Sequence, residues 1–401
     1  MNPKATVAEC LNELTVTSQN MIDRARAIAP LLRERAPEAQ AGRRVPQATI
    51  ADYHETGLIR IAQPKRYGGF EMGWDVLCEI SQILAEADGA QAWIQRIMAD
   101  HAQMVSTFPA EAQDEVWGNN DRALISAAFD PVGRAKKTKG GVIFSGRHGF
   151  SSGVDYADWA ICGGYIVDGE QRDGPHFFLV PRADFTIIDD WHTIGLEGTG
   201  SKSFEVKGVF VPEHRILDGA KAHVGQGPGT AVNKAAVYRT PRGGITSTGF
   251  AALAVGMAKG VLNEWMLYTA PRKSRGVTVA EQPGTLMTAA RSSAEIDAAE
   301  ALYFGTISRA MRTLEAGGTL TTTDLVTARR NVAFACKLSL KAGTRLFNAG
   351  GGRALFAGQG LERQYRNLLG AVSHHAAVWD ANAIGYAKDL FARYNTANTK
   401  T

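Results

Sequence analysis

Residues 121–215 restrict the fold of this chain more than any other stretch, because they do not continue what surrounds them. Short β-type runs follow one another there: Leu124-Ile125-Ser126-Ala127-Ala128-Phe129, Gly141 to Ser145, Ala157 to Val167, His176 to Val180 and Phe204 to Val211. Gly, Pro and Asp turns separate them, a pattern that predicts a small antiparallel barrel or sandwich. On both sides the apolar spacing is helical. Upstream, Leu11, Leu14, Met21, Ile22, Ile28 and Leu31-Leu32 recur at helical intervals. A helix over about Pro46 to Thr56 stops at Gly57, and Trp74 to Ala87 is helical again. The next helix carries Trp93, Ile97 and His101 on one face and ends by Phe108-Pro109. Downstream, a loop over 216 to about 240 leads to helices expected at 243–270, 284–316, 322–349 and 361–394. The chain thus reads as α+β in three parts: a helical domain over 1–120, a β domain over 121–215, and a linker with a four-helix bundle over 216–401.

With 401 residues, 45% hydrophobic and 21% charged, the chain has ample material for a large core. Its net charge of +4 is spread along the sequence, and the longest basic cluster (Arg134, Lys136, Lys137, Lys139) is short, which argues against nucleic acid. Cys10, Cys78, Cys162 and Cys336 stand far apart, which suits buried free thiols in a reducing compartment better than disulfides or a zinc site. The first residues lack an apolar signal core and no apolar run reaches the length of a membrane span, so a cytoplasmic protein without membrane attachment is expected.

The turn from Gly146 to Trp159 carries the most chemistry. Gly149-Phe150-Ser151-Ser152-Gly153 matches the Gly-x-Ser-x-Gly elbow of serine hydrolases, with His374 downstream. That elbow requires a helix directly after the serine. Here a β-like run follows, so the hydrolase reading fails. Gly195-Leu196-Glu197-Gly198-Thr199-Gly200-Ser201 is glycine-rich but runs into a strand, unlike a dinucleotide or phosphate loop. His374 and His375 are adjacent, and on a helix they would point about 100° apart, poor geometry for one metal. No metal is expected.

The order helix, strand, helix resembles the acyl-CoA dehydrogenase superfamily, in which two helical domains flank a β-barrel and hold a flavin. Pro64-Lys65-Arg66-Tyr67-Gly68-Gly69, Trp191 to Ser201, Val209-Phe210-Val211-Pro212 and Leu361-Glu362-Arg363-Gln364-Tyr365-Arg366-Asn367 carry the likeness, though Asn367 replaces the usual Asp. The dehydrogenases of that superfamily place a catalytic Glu about nine residues beyond that Arg. His374-His375 occupy the position here, which weakens an acyl-CoA or nitroalkane dehydrogenase or oxidase reading. A second branch is closer: the two-component flavin monooxygenases that hydroxylate aromatic compounds. Trp93, His101 and Phe108-Pro109, then Phe150-Ser151-Ser152-Gly153, then Arg366, His374 and Trp379-Asp380 resemble its motifs in order.

This resemblance implies a diffusible reduced FMN or FAD supplied by a separate NAD(P)H:flavin reductase, O₂ as co-substrate, a flavin C4a-hydroperoxide, a small aromatic substrate of phenol or indole type, and a homotetramer. It places Ser151 against flavin N5–H, Ser126 beside the peroxide, His101 as a donor to the peroxide or a substrate anchor, and His374 as general base or as the group that holds the substrate's ring carbon toward the distal oxygen. Imidazole exchanges protons near neutral pH, which suits either role. Trp93 would wall the pocket. Ser152, Thr199, Ser201, Arg239, Arg275 and Gly351 are further implied flavin contacts, the arginines for phosphate. Serine beside glycine is also ordinary turn chemistry, and Trp93 as a core residue or the two arginines as surface ion pairs are equally open readings.

Overall fold

The computed structural model describes residues 16–398; Cys10, Leu11 and Leu14 lie outside them. Five helices come first: α1 (Ser18–Gly42), α2 (Gln47–Thr56), α3 (Trp74–Ala87), α4 (Gly89–Val105) and α5 (Ala110–Trp117). Seven strands follow: β1 (Ile125–Thr138), β2 (Gly141–His148), β3 (Trp159–Asp168), β4 (Gln171–Pro181), β5 (Thr186–Ile188), β6 (Ser203–Pro212) and β7 (Ile216–Asp218). After a short α6 (Gly219–His223) the chain returns to long helices, α7 (Thr248–Thr269), α8 (Pro283–Glu315) and α9 (Thr322–Gly350), then α10 (Gly360–Val372) and α11 (Trp379–Asn398). A small hairpin, β8 (Lys273–Ser274) and β9 (Val277–Thr278), joins α7 to α8.

Local sequence explains most of these limits. Gly57 adopts φ 77° and ends α2, a conformation that costs a glycine nothing. Asp88 accepts the Gln91 backbone N–H and starts α4. Thr17 and Thr321 head capping boxes on α1 and α9.

The sheet differs from expectation in two ways. Its order is β5-β6-β2-β1-β3-β4-β7, and among the described residues no ladder joins the two edge strands, so the pairings form an open ladder. Every junction is antiparallel except β1 with β3, which is parallel. The long return from β2 through the Gly146–Trp159 turn sets β3 beside β1 in the same direction, a non-local pairing that turn signals do not reveal. The helix expected over 361–394 is also two helices, interrupted between Val372 and Trp379. His374 sits in that break with extended backbone (φ −65°, ψ 142°), not on a helix.

Helix α4 is the axle of the fold. Every one of its residues is buried, so its polar side chains must find partners inside. Gln91 donates to the Leu32 carbonyl at 2.7 Å, Gln95 to Leu58 at 2.7 Å, Arg96 to Thr246 at 2.6 Å and Gln103 to Val237 at 3.0 Å. Four separate segments are thereby pinned to one helix. Leaving any of these carbonyls unpaired in the core would cost about 1–3 kcal/mol. Cys78, Cys162 and Cys336 are free and buried. No helix of the described residues is long and apolar enough to cross a membrane.

Candidate active site

The site is assembled where α4, the Gly146–Trp159 turn and the break before α11 meet. Gly153 closes the turn with φ 71°, and a Cβ there would stand 2.3 Å from Met98 Cε of α4. Glycine adopts this left-handed backbone without strain and leaves the Met98 methyl where it is. Trp93, one and a half turns back along α4, donates its indole N–H to Ser152 Oγ at 3.0 Å.

A directed chain of hydroxyls continues from there. Ser152 Oγ lies 2.8 Å from Ser201 Oγ, and Ser201 Oγ lies 2.6 Å from Thr199 Oγ1. Thr199 gives its proton to the Leu196 carbonyl at 2.8 Å. A hydroxyl has one proton to give, so Thr199 must accept from Ser201 and Ser201 from Ser152. The Leu196 carbonyl also takes the Trp191 indole N–H at 3.1 Å, while the Leu196 N–H goes to Asn367 Oδ1 at 2.8 Å. Asn367 therefore holds the glycine-rich segment from the C-terminal helices.

Two hydroxyls stay outside this chain. Ser151 Oγ and Ser126 Oγ are fully buried and have no partner among the described residues. Buried polar atoms are normally satisfied, so both point to a bound group. Such orphans fit a flavin edge and an oxygen-bearing ligand, and the residues present suit the cofactor implied by the sequence.

The two histidines are locked in opposite tautomers. His101 Nδ1 lies 2.8 Å from the Ile125 carbonyl, which can only accept, so Nδ1 carries the proton and Nε2 a lone pair. His374 Nδ1 accepts the Ala376 backbone N–H at 3.2 Å, so its proton sits on Nε2. Both rings are held neutral. Burial is the main cause, lowering His101 to about 4 and His374 to about 3, with His375 and Arg96 adding to the effect on His374. His374 stacks on Phe250 with ring centroids 3.9 Å apart and meets Trp93 edge-on at 5.9 Å. His101 meets Phe129 edge-on at 5.6 Å. Trp93 and His101 are eight residues apart, about 12 Å along α4, so the site has two ends joined by one helix.

Between those ends is a buried charge cluster that sequence reading missed. Asp100 pairs with Arg242 at 2.7 Å and with Arg96 at 3.2 Å. Burial opposes the Asp100 charge, but Arg242 and Arg96 prevail and hold the carboxyl below its ordinary range. Two guanidiniums face one carboxylate, leaving one positive charge in excess. Arg96 lies over Phe250 at 4.2 Å and Arg242 over Phe129 at 4.6 Å, the rings that flank the two histidines. The signal available was Arg96 and Asp100 four residues apart on a helix otherwise rich in apolar residues.

Not every expected residue joins the cluster. Arg239 donates to the Leu314 carbonyl and so caps the end of α8. Arg275 stands at the tip of the β8–β9 hairpin with φ 50°. Gly351 is the exposed cap of α9, with open space where a Cβ would be. No contact among the described residues links these three to the serine turn. His375 packs against His374, centroids 4.1 Å apart. Among the described residues no group of three or more His, Cys, Asp or Glu side chains is placed to hold a metal.

Residues 248–379 match the family described as acyl-CoA dehydrogenase, C-terminal domain. Over 354 residues the chain is 33% identical to the flavin-dependent monooxygenase oxygenase subunit HsaA of Rhodococcus jostii, covering 87% of this chain and 92% of that protein. It is 31% identical over 374 residues to the oxygenase component of the FADH₂-dependent resorcinol hydroxylase of Rhizobium sp., covering 90% and 91%. The crystal structure of the HsaA monooxygenase from M. tuberculosis superposes with a TM-score of 0.90 at 29% identity, over 94% of this chain and 98% of that one. By these relationships, and with the fold and orphaned serines they accompany, the chain belongs to the oxygenase subunits of two-component flavin-dependent monooxygenases, enzymes of the acyl-CoA dehydrogenase fold that use reduced flavin and O₂.

Proposed function

We propose that this enzyme hydroxylates a small phenol, with the ring oxygen held between His101 and Ser126. Reduced flavin, when bound, supplies the two electrons that activate O₂. One oxygen atom then enters an aromatic C–H bond as C–OH and the other leaves as water. The observation that carries this reading is the pair of opposite tautomers beside two orphaned hydroxyls. His101 Nε2 accepts a substrate O–H. Ser126, next along β1 from the carbonyl that fixes His101, has a proton to give and no acceptor. A phenol oxygen satisfies both. An indole N–H satisfies His101 alone, and is the second reading. When the ring oxygen passes its proton to His101 Nε2, the excess guanidinium charge nearby favours the oxyanion that results, which raises the electron density of the ring. His374 offers an Nε2–H, a donor for developing negative charge. Of the roles that resemblance left open, this reading takes His101 as the substrate anchor and base and His374 as the donor.

Ser151 is assigned to the flavin edge, where its oxygen accepts from N5–H. Trp93, Ser152, Thr199 and Ser201 brace the turn that presents it. The test is a screen of phenols and indoles with chemically reduced FMN or FAD and O₂, with products identified by mass. Ser151→Ala should bind reduced flavin as the wild type does yet release several-fold more hydrogen peroxide per product. A coupling ratio equal to wild type removes Ser151 from this role.

Three coarser features complete the reading. The units 1–120, 121–215 and 216–401 are taken as domains, the strand ladder as the wall of a barrel. A homotetramer is supported by exposed apolar side chains on the last helix, including Ile384, Phe391 and Tyr394. A diffusible reduced flavin from a partner reductase suits the cytoplasm.

A further inference from the structure

Two bulky residues near the hydroxyl chain adopt left-handed backbone, Leu196 at φ 55° and Phe150 at φ 57°. Such conformations cost about 1 kcal/mol or more outside glycine and asparagine and persist only where something enforces them. For Leu196 the enforcement is visible. It is buried, its N–H is held by Asn367, and its carbonyl takes three donors. For Phe150 the backbone is held, with the Ser152 N–H on its carbonyl at 3.1 Å and the Ser151 N–H on the Lys202 carbonyl at 3.1 Å, but those bonds give no reason for a bulky side chain there. The ring is 79% exposed and meets one other ring, Trp191, edge-on at 5.9 Å. A turn needing only φ > 0 is best served by glycine. Here the least suited kind of residue occupies it, immediately before the fully buried and unpartnered Ser151.

We propose that Phe150 is a flavin-stacking residue, held in a strained turn so that its ring covers the cofactor when reduced flavin arrives from solution. The proposal rests on the flavin assignment of Ser151 and adds the apolar face that a hydroxyl cannot supply. An enzyme whose flavin is diffusible must capture a flat aromatic from water, and an exposed ring on a rigid turn offers contact area at little cost in conformational entropy. Trp191 sets the ring's edge, and its own indole is fixed on the Leu196 carbonyl at the end of the hydroxyl chain. Flavin capture and the hydroxyl chain thus share one anchor.

The test compares Phe150→Gly, Phe150→Ala and Phe150→Tyr in the full chain. Thermal melting is followed without flavin, and reduced FMN and FAD are titrated anaerobically by fluorescence. Strain held for a ligand predicts that Phe150→Gly melts at or above wild type and above Phe150→Ala. Both should lose tenfold or more in reduced-flavin affinity, and Phe150→Tyr should restore it. Phe150→Gly binding within twofold of wild type overturns the proposal while leaving the flavin site intact. A lower melting point for Phe150→Gly, or loss of its native assembly by light scattering, overturns it by making the ring structural. Failure of wild type to bind either reduced flavin overturns the flavin assignment itself and this inference with it.

Discussion

The imidazole of His101 donates its Nδ1–H to the carbonyl of Ile125 at 2.8 Å, and the next side chain along that strand is the orphaned Ser126. One backbone bond thereby decides which nitrogen faces the pocket. His101→Phe keeps the volume of the ring and removes the Nε2 lone pair. Product formation in a single turnover should fall by about 10²–10⁴-fold, the range for loss of a positioned base, while reduced-flavin affinity stays within twofold. A fall of less than threefold would leave His101 as a packing residue.

His374 has a structural duty that can be separated from its chemistry. Its Nδ1 caps the 3₁₀ turn His375–Ala377 by accepting the Ala376 N–H. Asparagine can make the same cap and alanine cannot. His374→Ala should lose about 1 kcal/mol of stability in denaturant melts and His374→Asn much less. Both should reduce product yield alike, because neither returns the ring stacked on Phe250. Yields that track stability would make the cap its whole role.

The neutral state of both rings predicts the pH response. Their folded values, about 4 and about 3, lie below the ordinary 6.5, so between those values the unfolded chain binds more protons than the native one. Linkage then gives stability that is full above pH 6.5 and declines as pH falls toward 4. The melting temperature should drop across that window. Product formation should show no titration near pH 6.5, and an inflection there in the rate profile would contradict the assignment.

His148 belongs to neither role. It is buried between Phe144 and Phe204, stacked on both, and neither ring nitrogen has a partner among the described residues. Burial lowers it to about 4. His148→Phe keeps the stack and removes two unsatisfied polar atoms, a change worth about 1–3 kcal/mol. Differential scanning calorimetry should show a higher melting temperature and a shallower decline between pH 6.5 and 4. Destabilisation would mean the nitrogens are satisfied by water.

Much of this was legible from residue order. Trp74 to Ala87 is a helix with the expected limits, and Gly57 stops its helix for the expected reason. Trp93, Ser152 and His374 are in contact, carried by α4, the serine turn and the break before α11, while His101 lies about 12 Å along α4 from Trp93. The break itself was hidden. Ser373 to Val378 contains neither Gly nor Pro, and its apolar spacing continues a helix, so only tertiary contact of His374 with Phe250 and Trp93 distinguishes it. The parallel pairing of β1 with β3 was hidden because direction depends on the route of the chain, not on composition. The Arg96–Asp100–Arg242 cluster depends on Arg242 arriving from far along the sequence.

The row of hydroxyls from Trp93 to Leu196 also limits what the turn can offer a guest. Ser152, Ser201 and Thr199 each have their single proton already committed, so of these four hydroxyls Ser151 alone can donate to a water drifting into the turn. Hydration of the turn and binding at Ser151 therefore compete for the space around one hydroxyl, whose oxygen would accept from the flavin. The rest of the row, its protons already committed, can keep its hydrogen bonds when a guest arrives.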